Sequence, residues 1–272
     1  MKERTFLTVL LLCLLATRPA WGAGPGPAGE VVASGLAAPT GLAHDAQGRL
    51  WVAEWGADRI VRLDERGQRA EIIGGISQPA GIAFDAGGTL WAAGYGDGRI
   101  YAWTPAAGLR VAARGLDAPT GLFWSAETGL LAANRNAGEV VRIRPDGSRE
   151  VISAGHSFPV GIARLADGTL AVSCYGGSVD FVPPAGRRHS LAARDAGLAR
   201  PGVGILAAGP DSVLVVDNGG GSVARLDAKG RARVLAGSLP SPVGLGRAPD
   251  GRLLVATWGD GAVRALPPQP LE

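Results

Sequence analysis

The chain has 272 residues, 46% of them hydrophobic and 19% charged, with 27 basic against 24 acidic side chains. Taking away residues 1–22, which hold Lys2, Arg4, Arg18 and Glu3, leaves 24 against 23, a net charge of +1. A domain so close to neutrality lacks the general basic field that nucleic-acid binding draws on, so no nucleic-acid partner is expected.

Lys2 and Arg4 open the chain, and Phe6 to Ala16 is an apolar run. Ala20-Trp21-Gly22 then puts small residues at the minus-three and minus-one positions of a cleavage site after Gly22. This pattern predicts a secretory signal peptide over residues 1–22, with a run too short to span a membrane comfortably. An uncleaved anchor is the alternative. Cys13 follows Leu12 inside the run, where lipid attachment would want a small residue, so a lipoprotein is not expected. The expectation is a secreted or periplasmic protein without stable membrane insertion after cleavage. With Cys13 in the signal, Cys174 stands alone, no intramolecular disulfide is possible, and stability must come from packing.

Residues 23–29 read as a flexible N-terminal segment, and a repeat follows. The tripeptide Pro-x-Gly occurs at Pro39-Thr40-Gly41, Pro79-Ala80-Gly81, Pro119-Thr120-Gly121, Pro159-Val160-Gly161 and Pro242-Val243-Gly244, with a one-residue expansion at Pro201-Gly202-Val203-Gly204. In each copy the glycine precedes a short apolar strand such as Ile82-Ala83-Phe84. Turns such as Asp45 to Gly48 and Asp85 to Gly88 come next, where Asp and Gly tolerate the positive φ of tight hairpins. The second strands, such as Leu50-Trp51-Val52-Ala53 and Leu90-Trp91-Ala92-Ala93, are nearly all apolar, as suits strands buried on both faces. Third strands such as Arg59 to Leu63 and fourth strands such as Ala70 to Ile73 complete each unit.

Four antiparallel strands per unit make a propeller blade. One blade cannot bury both of its apolar faces, but a ring of blades can. Residues 30–266 are therefore expected to form an all-β, six-bladed β-propeller, with residues 267–272 as a C-terminal tail. The sixth copy stops after its third strand, and Glu30 to Gly35 matches a fourth-strand segment. The N-terminal strand is expected to complete the last blade and remove the exposed edge of an open array; an open solenoid is the alternative. A monomer is expected.

With Pro-x-Gly-Leu/Ile, then Asp-x-x-Gly, then Leu-Trp-Val-Ala, the chain resembles the six-bladed superfamily of NHL-repeat and gluconolactonase-like (senescence-marker-protein-like) proteins, with streptogramin B lyase as a relative. The resemblance implies a divalent cation at the centre of the ring, held by Glu, Asn and Asp just before the glycine of the innermost strand. In this chain those positions are Thr40, Ala80, Thr120, Val160, Val203 and Val243. None supplies a carboxylate, so no metal ligand and no cofactor is assigned; calcium enters only with the alternative of a gluconolactonase-like lactonase or esterase. The lyase relative implies His and Glu near the channel. His44, His156 and His189 fall at an inner strand end, a blade-linking loop and an outer strand, where they are not expected to meet.

The turn after the second strand carries the remaining signal: Glu54-Trp55-Gly56, Gly94-Tyr95-Gly96, Asn134-Arg135-Asn136, Cys174-Tyr175-Gly176, Asp217-Asn218-Gly219 and Thr257-Trp258-Gly259. Equivalent positions in a ring fold sit around one face. Trp55, Tyr95, Arg135, Tyr175, Asn218 and Trp258 are therefore expected to form a circle, with Glu54 and Asp217 adding negative charge beside it. Aromatic faces can stack on sugar rings or planar ligands, and Arg135 can grip a carboxylate or phosphate. The alternative is that the aromatics only plug the blade junctions. Cys174 on the same turn reads as a buried structural cysteine, with no histidine placed to activate it. These readings favour a binding or scaffold protein for a carbohydrate, peptide or other small-molecule or protein partner; the enzyme readings named above are the alternative.

Overall fold

The computed structural model describes residues 29–267. The signal peptide expected over 1–22, most of the flexible segment 23–29 and the tail beyond residue 267 lie outside the described residues. Among the described residues, no helix is long and apolar enough to cross a membrane.

The hairpin turns explain the spacing of Asp, Gly and Trp in the repeat. Asp45 Oδ1 accepts the N–H groups of Gln47 and Arg49 at 3.0 and 2.9 Å, which closes the turn around Gly48 at φ 76°. Its other oxygen accepts the Trp51 indole N–H at 2.9 Å. Asp85 repeats the device with Gly87, Thr89 and Trp91. One carboxylate thus fixes the turn and satisfies an indole that would otherwise be buried without a partner.

Six four-stranded antiparallel sheets result. Blade 1 runs Pro39–His44, Leu50–Glu54, Arg59–Leu63 and Arg69–Gly74 from the axis outward, and the next four blades repeat this order. The innermost strands begin at the proline rather than after the glycine. In blade 6, Pro242–Arg247, Leu253–Thr257 and Ala262–Leu266 are completed by the N-terminal strand Glu30–Ala33, with Glu30 opposite Ala265 and Val31 opposite Arg264. The ring is closed.

Alternate side chains of each strand pack against opposite neighbours. Trp51 and Ala53 meet Ile82, Leu90 and Ala92 of blade 2. Val52 and Val61, on the other face of blade 1, meet Leu254, Ala256 and Val263 of blade 6. The core is therefore a set of apolar layers between blades, which is why the second strands carry no polar stripe.

The Pro-x-Gly glycines stand where the blades approach most closely. A Cβ built on Gly41, Gly81, Gly121, Gly161, Gly204 or Gly244 would lie within 3.0 Å of the next blade's backbone, and at Gly244 the atom met is the Thr40 carbonyl oxygen across the ring junction. A side chain there would push the ring open. Hydroxyls tie the same region together: Thr40 Oγ1 donates to the Pro79 carbonyl at 2.9 Å, Thr120 Oγ1 to that of Pro159 at 3.2 Å, and Ser173 Oγ to that of Gly202 at 2.8 Å.

Candidate functional site

The backbone places five of the six turn residues with a repeated hydrogen bond. The residue before the inner-strand proline adopts a left-handed conformation in five blades: Ala38, Gln78, Ala118, Phe158 and Ser241, at φ 47–55°. Its carbonyl turns toward the neighbouring second-strand turn. Trp55, Tyr95, Tyr175 and Trp258 donate their N–H groups to Ala38, Gln78, Phe158 and Ser241 at 3.2, 3.2, 2.8 and 3.0 Å, and Asn218 donates to Arg200 at 2.8 Å. This holds the turns in similar poses and sends their side chains inward.

The side chains of Trp55, Tyr95, Arg135, Tyr175, Asn218 and Trp258 converge on a cavity of about 200 Å³ at one mouth of the central channel. Its floor is Thr40, Ala80, Thr120, Val160, Val203 and Val243, the positions that would carry metal ligands by resemblance. The wall is divided. Trp55 lies 4.5 Å from Tyr95 and 5.9 Å from Trp258 between ring centroids, so blades 6, 1 and 2 present one continuous aromatic arc. On the opposite side the Arg135 guanidinium sits over Phe158 at 4.9 Å and Tyr175 at 5.5 Å, and Arg200 covers Tyr175 at 4.9 Å. The aromatics therefore both touch across blade junctions and line the cavity. At the other mouth, Leu42, Phe84, Leu122, Phe123, Trp124 and Arg164 surround a second depression.

Glu54 and Asp217 do not join the circle, which corrects the expectation that they add negative charge to it. Both are buried and neither lines the cavity. Along the strand, the residue before each ring position points the other way, into the blade-linking loop. Glu54 accepts the Ala37 N–H at 2.8 Å and pairs with Arg59 and Arg69 at 2.5 and 2.6 Å. Burial raises its carboxyl pKa, but the Arg69 and Arg59 hydrogen bonds and the Ala37 N–H outweigh this and hold it at about 2. Asp217 accepts the N–H groups of Ala199 and Arg200 at 2.9 and 2.7 Å. Asn134 does the same for Asp117 at 2.7 Å. These side chains anchor loops.

Blade 4 fills the equivalent position with Cys174, and His156 lies nearer to it than repeat position suggests, with its ring nitrogens on Asp180 and Ser153 and not on the thiol. His156, Cys174 and Asp180 are all buried, with potential ligand atoms within 4.8 Å of one another. Asp180 Oδ2 is 2.6 Å from His156 Nδ1 and 3.5 Å from Cys174 Sγ, while His156 Nε2 is 2.9 Å from Ser153 Oγ and Ser178 Oγ donates to Asp180 Oδ1 at 2.9 Å. Burial, then the charge of Asp180, pushes the thiol up to about 12. A thiol so reluctant to ionise is no nucleophile at neutral pH. Serine, histidine and aspartate stand in the order of a nucleophilic triad, but they lie at the junction of blades 3 and 4 and line none of the cavity described above.

The cavity does not fit a divalent cation. Hard cations take several oxygen ligands, with carboxylates to balance charge. No carboxylate lines the cavity, the Thr40 and Thr120 hydroxyls already donate to backbone carbonyls, and the Asn218 amide donates to the Pro242 carbonyl at 3.0 Å. Glu54 and Asp217, at the ends of their strands, turn their carboxylates away from the cavity onto loop N–H groups and supply it no ligand. No histidine lines the cavity. His44 is partly buried at the far end of its strand, and His189 stacks on Phe181 at 5.1 Å on the rim.

No protein-family profile and no curated protein matches the chain. Solved structures do. A gluconolactonase from Xanthomonas campestris superposes with a TM-score of 0.70 at 18% identity, covering 87% of this chain and 88% of that one. A calcium-binding regucalcin from Agrobacterium tumefaciens gives 0.70 at 18% identity, covering 88% and 93%. Virginiamycin B lyase from Staphylococcus aureus gives 0.66 at 16% identity, covering 86% and 85%. The chain shares the fold of gluconolactonase-like six-bladed propellers; at these identities the likeness shows the fold alone.

Proposed function

We propose that this protein is an exported propeller that binds a small molecule, carbohydrate, peptide or protein in the cavity ringed by Trp55, Tyr95, Arg135, Tyr175, Asn218 and Trp258. The observation that carries the reading is the convergence of all six on one apolar-floored cavity, with four aromatic side chains able to stack on a ligand. Glycan and peptide arrays probed with wild-type protein and with Trp55→Ala/Trp258→Ala test it. Loss of binding in the double variant, with an unchanged circular-dichroism spectrum and urea midpoint, supports the reading. Full affinity in a folded double variant contradicts it.

The fold likeness to a gluconolactonase and a lyase favours a second reading, a hydrolase or lyase acting in the same cavity. Turnover of a sugar lactone, together with a calcium-dependent rise in melting temperature, would support that reading over simple binding. The charge and donor set of the cavity argue against a calcium-dependent form of it.

A further inference from the structure

The two halves of the cavity wall differ in chemistry, and that difference selects a ligand class. One arc is aromatic: Trp258, Trp55 and Tyr95 in sequence around the ring, with Trp258 still 41% exposed. The other is cationic. Arg135 lines it from blade 3 and rests on the Tyr175 ring, while Arg200, exposed on the linker into blade 5 and outside the cavity lining, covers the same ring and donates from Nη1 to the Tyr175 hydroxyl at 3.1 Å.

Neither guanidinium has a carboxylate partner among the described residues. Arg135 Nη1 donates to Asn136 Oδ1 at 2.8 Å, and Asn136 in turn donates to Asp117 Oδ1 at 3.0 Å, so the rim's carboxylate reaches Arg135 only through a neutral amide. Guanidinium groups resting on aromatic faces are fixed in orientation and partly stripped of water while keeping free N–H donors. An anion entering the cavity would find the Arg135 donors without displacing a competing acid. A neutral sugar would use the aromatic arc and leave the cationic half unanswered.

We propose that the ligand is a small planar aromatic or conjugated carboxylate, bound with its ring against Trp55, Tyr95 and Trp258 and its carboxylate on Arg135. This rests on the binding reading above and narrows it. The cavity of about 200 Å³ suits a one- or two-ring acid rather than a polymer segment.

Binding of 2-naphthoate and of its neutral isostere 2-naphthamide, measured by calorimetry on the full chain, tests the proposal. The expected result is that naphthoate binds about tenfold or more tightly than the amide, as a charge-assisted hydrogen bond allows. Arg135→Gln should erase that preference by bringing naphthoate down to the affinity of the amide, and raised salt should weaken naphthoate alone. Equal binding of acid and amide, unaffected by Arg135→Gln but lost in Trp55→Ala, overturns the anion assignment and leaves the platform standing. Naphthoate binding that survives both Trp55→Ala and Trp258→Ala places it elsewhere and overturns both. Absence of naphthoate binding at millimolar concentration overturns the ligand class, while the arrays decide the platform separately.

Discussion

Glu54→Gln isolates what a buried carboxylate does for the ring. The side chain is fully buried, accepts one backbone N–H and faces two guanidiniums at 2.5 and 2.6 Å. At about 1.4 kcal/mol per pH unit, a carboxyl held at about 2 rather than 4.5 contributes about 3 kcal/mol to folding. Arg59 and Arg69 are each 30% exposed, so solvent screens part of the attraction and a loss of about 2 kcal/mol is expected. The sign follows from the direction of the shift. The folded-state value is depressed, so the contribution is fully present above the ordinary pKa of 4.5 and is lost as pH falls toward about 2. Glutamine imitates the protonated acid. Urea unfolding of wild type and variant should therefore show a gap of about 2 kcal/mol near pH 7 that narrows below about pH 4. A gap under about 0.5 kcal/mol near pH 7, or one that does not change with pH, would mean that the Glu54 carboxylate is not a stabilising charge.

Gly244→Ala drives a Cβ into the Thr40 carbonyl and should cost about 1–3 kcal/mol in urea unfolding. Gly74→Ala, where a Cβ meets nothing within 4 Å, should stay within about 0.5 kcal/mol of wild type, and equal costs for the two would contradict the close-approach argument. Cys174, fully buried and held at about 12, should resist Ellman's reagent in the native protein near pH 8 and react at once on unfolding; rapid native reaction would contradict its inert assignment.

The ring and the inward-facing circle were legible because they rest on spacing. A glycine every repeat is demanded wherever one blade's backbone passes the next, and equal repeat positions must face alike. Glu54 and Asp217 were misjudged because the strand still alternates at its last residue: one step along the chain turns a side chain from the cavity into a loop. The left-handed residues before proline had no signal, since proline ordinarily biases its predecessor toward extended backbone. In four blades the carbonyl of that left-handed residue accepts the ring residue's N–H, a tertiary contact that repeat spacing does not announce. His156 reaches Asp180 across the junction of blades 3 and 4, 24 residues away, a meeting that depends on how a linker folds over the next blade and not on repeat position.

The most direct test is a crystal structure of the chain soaked with 2-naphthoate. The naphthalene ring should be seated among Trp55, Tyr95 and Trp258, with the carboxylate in hydrogen-bond contact with Arg135. Density confined to the opposite mouth beside Phe84 and Trp124, or an empty aromatic cavity at saturating ligand, would contradict it.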